Sequence, residues 1–257
     1  MDSFKIITTT PETVTQYGLC GYKDVKKPGY TEKLDWYAKN QDNGLVIKVL
    51  HSEDAGTQGM IEYIDIENCW RPVSAENYLF IHCLFVGFKK EYKKLGLASK
   101  MLDDCYTDAI AENKNGIAVL TRKGSFMAKA DVFLKNGFEV VENIKPDFHL
   151  LVKKINENVP NPKMIDNSHL LRTKYLNGLF ILRADQCPYT VKNVQEMVQS
   201  AKSEFAIDAN IIDLKSHEDA QVNPSPFGTF ALILNGKVVS YHPISKARFG
   251  NILRKEL

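Results

Sequence analysis

Cysteine is scarce in this chain and is not arranged for cross-linking. The five thiols (Cys20, Cys69, Cys83, Cys105 and Cys187) are odd in number and include no C-x-x-C pair, which argues for reduced cysteines and against a disulfide framework or a thiolate metal centre. Charge of one sign is lacking too. Lys and Arg number 33 against 31 Asp and Glu, and a net charge of +2 gives no ground for expecting a nucleic-acid partner. No apolar run approaches the roughly 20 residues that cross a bilayer, and Met1-Asp2-Ser3-Phe4 does not read as a signal peptide. Internal repeats and low-complexity tracts are absent. The expectation is a cytoplasmic protein with no membrane partner and no metal; its oligomeric state is open.

What is present is enough hydrophobic sequence for a real core, 44% of 257 residues, in a length that suits one large domain or two small ones. Two are expected. Phe4 to Thr8 is a short strand, and Thr13 to Ala38 carries helical pieces broken at Pro28-Gly29. Gly44 to Leu50 and Gly59 to Ile66 are strands. Cys69-Trp70-Arg71-Pro72 forms a turn. Residues 156 to 162 combine two prolines with three asparagines beyond the strand Phe148 to Val152, which places a boundary between a domain of residues 1–158 and another of residues 159–257.

The stretch Phe80 to Asp108 carries the chemistry. Ile81 to Val86 is an apolar strand interrupted only by His82. A helix opening near Gly96 has Met101, Leu102, Cys105, Ala109 and Ile110 at helical spacing. Between them lies the turn Lys93-Lys94-Leu95-Gly96-Leu97-Ala98. Gly96 permits close approach of a ligand to the backbone, Ala98 keeps the next position small, and the helix's first N–H groups with its dipole favour a phosphate. Lys89, Lys90, Lys93 and Lys94 form either a solvated basic turn or a phosphate-steering rim.

These residues resemble the Arg/Gln-x-x-Gly-x-Gly/Ala loop of the GNAT acyltransferases, with Lys93, Gly96 and Ala98 at the key positions. The strand Gly116 to Thr121, a helix over Phe126 to Lys135, and Asn136-Gly137-Phe138-Glu139-Val140 follow in the family's order, so that the resemblance covers Phe4 to Lys154. It implies a mixed central sheet flanked by helices and acetyl-CoA as acyl donor. It also implies that the Leu84-Phe85-Val86 backbone pairs with the pantetheine arm, and that Leu95, Gly96, Leu97, Ala98 and Ser99 hold the pyrophosphate with Lys93 and Lys94 beside them. The acceptor would be a primary amine, attacking directly within a ternary complex: a small amine, a polyamine, an amino acid or a peptide terminus.

Acyl transfer from a thioester asks the protein to position the amine, take its proton and stabilise an oxyanion. Glu62, Asp65 and His82 are the titratable residues on the strands around the motif. Alternation puts Glu62 and Asp65 on opposite faces, so one of them at most faces the cleft; Glu62 is preferred as base, and His82 is a second candidate or a packed strand histidine. Many family members protonate the departing thiolate with a tyrosine where this chain has Phe133. Tyr78, Ser125 or solvent would take that role. Trp70 and Arg71 are candidates for contacting the acceptor, Arg71 by gripping an anionic group or, alternatively, serving as a surface ion-pair former.

Beyond residue 162 the pattern begins again. A strand (Gly178 to Arg183), the turn Cys187-Pro188-Tyr189-Thr190, a helix (Val191 to Glu204), and strands at Asn210 to Leu214 and Thr229 to Leu234 follow in order. An Asn235-Gly236 hairpin, the strand Val238 to Tyr241 and a helix over Ser245 to Arg254 complete the series. This order resembles the smaller thioredoxin-like α/β fold, and beside the preceding half it resembles the YoaP-like domain joined to GNAT modules. Thr190 stands where a dithiol protein has its second cysteine, and Gly228 where a cis-proline is usual, which argues against disulfide exchange. Cys187 at a helix start is a monothiol, a substrate-facing group or a half-buried turn residue. Two further readings are a non-catalytic acyl-CoA sensor and a thiol-redox protein acting through Cys187.

The loop assignment predicts that Gly96→Glu, which fills and negatively charges the turn, weakens acetyl-CoA binding by at least about 10-fold. Calorimetry on the folded variant showing undiminished affinity would remove the phosphate role from this turn.

Overall fold

The computed structural model describes residues 4–87 and 90–257; Met1, Asp2, Ser3, Phe88 and Lys89 lie outside the described residues. In the first half the elements are β1 (Lys5–Thr8), α1 (Tyr30–Gln41), β2 (Val46–Ser52), β3 (Gly56–Asp65), β4 (Val73–Ser74) and β5 (Tyr78–Val86). They continue as α2 (Leu97–Ala111), β6 (Gly116–Arg122), α3 (Ala130–Leu134), β7 (Glu139–Ile144), β8 (Phe148–Lys154) and β9 (Lys163–Met164). Seven of the strands form one sheet in the order β1-β2-β3-β5-β6-β8-β7. Only the β5–β6 pair is parallel, as a crossover through α2 requires; its neighbours are antiparallel. This is a mixed central sheet flanked by helices.

Alternation along the strands builds one of its faces. Ile61, Tyr63, Leu79, Ile81, Ile117, Val119 and Leu151 pack against Leu97, Met101, Leu102, Cys105 and Ala109 of α2, and against Phe133 and Phe138. Ile110, expected on the same stripe, is 52% exposed; it lies about 80° around the helix from Leu102. The expected helix over Phe126 to Lys135 shrinks to α3. Gly124 and Phe126 take positive φ, and Lys129 is extended, so regular winding starts only at Ala130.

A polar clamp crosses this otherwise apolar layer. Lys48 Nζ lies 2.6 Å from both Asp104 Oδ2 and Asp108 Oδ2, while the Tyr63 hydroxyl donates to Asp108, tying β2 and β3 to α2. For Lys48, burial pulls the pKa down, but the hydrogen bonds and charges of the two aspartates outweigh it and leave the ammonium above its ordinary value. Burial, then the bond to Asp108, pushes the Tyr63 phenol well up.

The chain divides into two units, the first comprising Met1–Val25, Tyr37–Cys69 and Val73–Met164, the second Lys26–Trp36, Trp70–Pro72 and Ile165–Leu257. The division falls six residues beyond the expected boundary at 158 because β9 pairs with β4 and Tyr78 Oη donates to the Pro160 carbonyl at 3.0 Å, which ties residues 159–164 to the first unit. The second unit contains α4 (Leu170–Thr173), β10 (Leu179–Arg183), α5 (Tyr189–Phe205), β11 (Ala209–Asp213), α6 (His217–Gln221), β12 (Phe230–Leu234), β13 (Lys237–Ser240) and α7 (Lys246–Glu256). Its sheet order is β11-β10-β12-β13, with β10 parallel to β11 and antiparallel to β12. Positive φ at Asn235 and Gly236 makes the tight hairpin that their sequence announces. Val191, Val194, Met197 and Ala201 bury one face of α5, and Phe205 meets Phe249 of α7 edge to face at 6.5 Å. Among the described residues, no helix is long and apolar enough to cross a membrane.

Both clamp groups bind their proton more tightly when folded. Their contribution is therefore complete below the ordinary values of 10.0 for Tyr63 and 10.5 for Lys48, and is lost as pH rises through the folded values. Thermal unfolding followed between about pH 8 and about pH 11 is predicted to show Tm falling at the alkaline end. Tyr63→Phe is expected to cost about 1 kcal/mol near pH 7 and to flatten that fall. A Tm in the parent chain that is insensitive to alkali would contradict the assignment.

Candidate active site

The site begins where two strands part. The parallel ladder joins Tyr78–Ile81 of β5 to Gly116–Val119 of β6 and stops there, although β5 continues to Val86 and β6 to Arg122. At the same point the register against β3 shifts. Tyr63 opposes Ile81 but Glu62 opposes Cys83, leaving His82 as the extra residue of a β-bulge. A bulge bends and twists its strand and so accounts for the divergence. Beyond it Leu84, Phe85 and Val86 pair with Ile61, Met60 and Gly59 of β3, past the end of the β5–β6 ladder.

The bulge also brings together two of the proposed catalytic residues. His82 Nδ1 lies 3.3 Å from Glu62 Oε1, and both side chains are wholly buried. Asp65 is turned away and paired with Lys114. Tyr78 is not brought to the pair. It begins β5, four residues or about 13 Å of strand before His82, and its hydroxyl donates to Pro160. Burial, then the charge of Glu157, pushes its phenol up. Phe133 is buried and meets Phe138 edge to face at 5.3 Å.

At the end of β5 the Lys93–Ser99 turn leads into α2. Lys93, Lys94 and Leu95 are exposed, with Lys94 and Gly96 at positive φ. Gly96 is the N-cap and offers no capping side chain, and the Lys100 N–H donates to its carbonyl at 3.0 Å, so the N–H groups of Leu97, Ala98 and Ser99 precede the helical ladder. A Cβ built on Gly96 meets no protein atom within 4 Å. The cradle is open, and its polarity suits an anion. Lys89 of the basic run lies outside the described residues. No group of three metal-ligating side chains occurs among the described residues.

Trp70, Arg71 and Cys187, read from sequence as acceptor-side residues, all fall in the second unit. Arg71 is not at the surface. It is 2% exposed, donates from Nη1 to the Trp70 carbonyl at 2.9 Å and to Thr229 Oγ1 at 3.2 Å, and stacks on Phe227. Thr229 Oγ1 in turn donates to Gln186 Oε1 at 3.4 Å, beside Cys187. Trp70 meets Trp36 edge to face at 5.3 Å. Cys187 is half-buried at the turn before α5, where the Thr190 N–H donates to its carbonyl.

Sequence reasoning missed the segment Tyr17 to Lys23. Together with Thr57, Gln58, Met60 and Phe85 it lines a cavity of about 240 Å³ in the first unit. Met60 and Glu62 share one face of β3, so this cavity opens on the face of the Glu62–His82 pair; Gln58 is the extra residue of a second bulge, between the partners of His51 and Leu50. The only trace in the sequence is the closely spaced Gly18 and Gly21, both at positive φ.

Fold and site together define an α/β protein whose mixed sheet opens between its two parallel strands. Residues 209–251 match the YoaP-like family. The chain is 28% identical over 226 residues to the uncharacterized N-acetyltransferase YoaP of Bacillus subtilis (strain 168), with 86% of each chain covered. Among solved structures it is similar to an acetyltransferase of the GNAT family from Staphylococcus aureus Mu50, at 18% identity and a TM-score of 0.44, covering 60% of this chain and 100% of that one. A second is yncA of Salmonella typhimurium, solved with its cofactor acetyl-CoA, at 16% identity and a TM-score of 0.43, covering 62% of this chain and 98% of that one.

A methyl group on Gly228 would collide with the Trp70 carbonyl oxygen and sit 2.8 Å from Arg71 Cα, in a backbone conformation with φ of +73°. Gly228→Ala is therefore predicted to destabilise the chain by roughly 2–4 kcal/mol, read by denaturant unfolding. A loss below about 0.5 kcal/mol would mean that residues 70 and 71 yield easily.

Proposed function

We propose that the chain is an acetyl-CoA-dependent N-acetyltransferase acting on a primary amine. The observation that carries this reading is the parting of β5 from β6 at Ile81↔Val119, which leaves the Leu84–Val86 backbone edge running toward an open helix N-terminus. Kinship with a Bacillus N-acetyltransferase supports it. In this reading the pantetheine arm of the donor hydrogen-bonds Leu84, Phe85 and Val86 as a strand would. The pyrophosphate rests on the N–H groups of Leu95, Gly96, Leu97, Ala98 and Ser99, with Lys93 and Lys94 neutralising charge.

Glu62 takes the proton of the incoming ammonium through water, held in place by His82. The neutral amine attacks the thioester carbonyl carbon within a ternary complex, the C–S bond breaks as the tetrahedral oxyanion collapses, and the amide and the thiolate of coenzyme A are released. Phe133 has no proton to give and the Tyr78 hydroxyl is engaged with Pro160, so Ser125 or solvent protonates the thiolate. A thiol with an ordinary pKa near ~8.5 leaves adequately without a dedicated acid.

The strand order of the second unit, with α5 following β10 and a terminal hairpin and helix, reads as thioredoxin-like. Its role here is to shape acceptor choice or to recognise a partner, with Cys187 as a contact and not a redox centre. A second reading, a sensor that binds acetyl-CoA without turnover, draws on the buried Phe133.

Turnover separates the readings. Acetyl-CoA is expected to bind at micromolar levels, and release of free coenzyme A thiol is expected with at least one member of an amine panel. Glu62→Gln should lower kcat by about 10²–10⁴-fold while leaving acetyl-CoA affinity intact. Binding without turnover across the panel would favour the sensor, and no binding to the folded chain would end both readings.

A further inference from the structure

Resting on the acetyl-transfer reading, we propose that the cavity bounded by Tyr17 and Lys23 on one side and by Gln58 and Phe85 on the other is the acceptor site, and that its acceptor is a small amino-carboxylate. Size is the first constraint. About 240 Å³ is roughly eight waters' worth of space and lies below the ~300–1,000 Å³ of sites for drug-sized ligands, which admits a free amino acid more readily than a folded protein segment.

The lining sets the chemistry. Met60 and Phe85 give an apolar floor, and they oppose each other in the β3–β5 register. Gln58 is 4% exposed, and its Nε2 donates to the Ala55 carbonyl at 2.8 Å while its Oε1 has no hydrogen-bond partner. A buried acceptor oxygen left in that state is costly unless a ligand brings a donor, which the N–H of an amine supplies. Lys23 is exposed at the rim and carries a positive charge that suits the ligand's carboxylate. A molecule with an N–H donor and an anion a few ångströms apart satisfies both groups. An α-amino acid is the smallest class that does so.

Position on the sheet agrees. Met60, in the cavity floor, shares the face of Glu62 and is two residues from it, and Phe85 belongs to the strand edge assigned to the donor. The acceptor therefore sits beside the donor's path and on the side of the proposed base.

The test is calorimetry on the full chain with individual L-amino acids and their carboxamides, each titrated with and without coenzyme A. Acetyl-CoA affinity is measured separately in the same proteins. At least one amino acid is expected to bind, with its carboxamide at least about 10-fold weaker. Lys23→Met should erase that discrimination, and Gln58→Leu should weaken both ligands by about 10-fold, with acetyl-CoA affinity unchanged in each variant. Three results overturn the proposal: no amino acid binding under either condition, equal binding of carboxamides or simple amines, or loss of acetyl-CoA affinity in the two variants, which would give the cavity to the donor. Failure of acetyl-CoA to bind the parent chain would sink the transferase reading alone, because the amino-acid titrations stand without it.

Discussion

One surplus residue governs the centre of the first unit. Because β5 places His82 between the partners of Tyr63 and Glu62, the strand twists away from β6 just where the parallel ladder ends. That displacement opens the sheet between β5 and β6 and turns His82 toward Glu62. Removing the extra residue would let β5 and β6 pair to their ends and would close the space in which a donor could lie. The clamp of Lys48, Tyr63, Asp104 and Asp108 then matters for a second reason. It holds α2, and with it the Lys93–Ser99 turn, at a fixed height over the opened edge.

Much of this was legible in the residues. The apolar strand with a single histidine, the glycine-bearing basic turn and the stripe on the following helix announced β5, the turn after it and α2 nearly to the residue. Asn235-Gly236 did the same for the last hairpin. Local signals of this kind survive because each depends on neighbours in sequence. The Glu62–His82 pair is different: alternation put Glu62 on a face, but only the bulge, a property of how two strands register, brings His82 to it. Arg71 is the clearest failure of local reasoning. A charged residue in a turn reads as surface, yet it is buried under contacts with Phe227 and Thr229, more than 150 positions away. The cavity by Gln58 was equally silent, since its walls come from segments about forty residues apart whose approach no periodicity encodes.

The two candidate clusters are unlike in character. Glu62 and His82 are buried within the sheet, where a small change in proton occupancy is strongly felt. Lys93, Lys94 and Gly96 face open solvent, where charge guides an anion in but is screened by salt. Together they would divide the work, with exposed positive charge gathering a ligand and buried groups handling the proton.

The path of the chain has a consequence for synthesis. Residues 26–36 and 70–72 belong to the second unit but leave the ribosome before Ile165, so that Trp36, Trp70 and Arg71 must wait for at least about a further 155 residues before Phe227 and Thr229 exist. At common elongation rates of about 5–20 residues per second that is roughly 8–30 s with two tryptophans and an arginine unburied. The modules are thus not beads that can be cut apart and joined elsewhere. A nascent chain of this design depends on whatever shields those side chains in the interval, and a fragment beginning at residue 165 would be born without part of its own core.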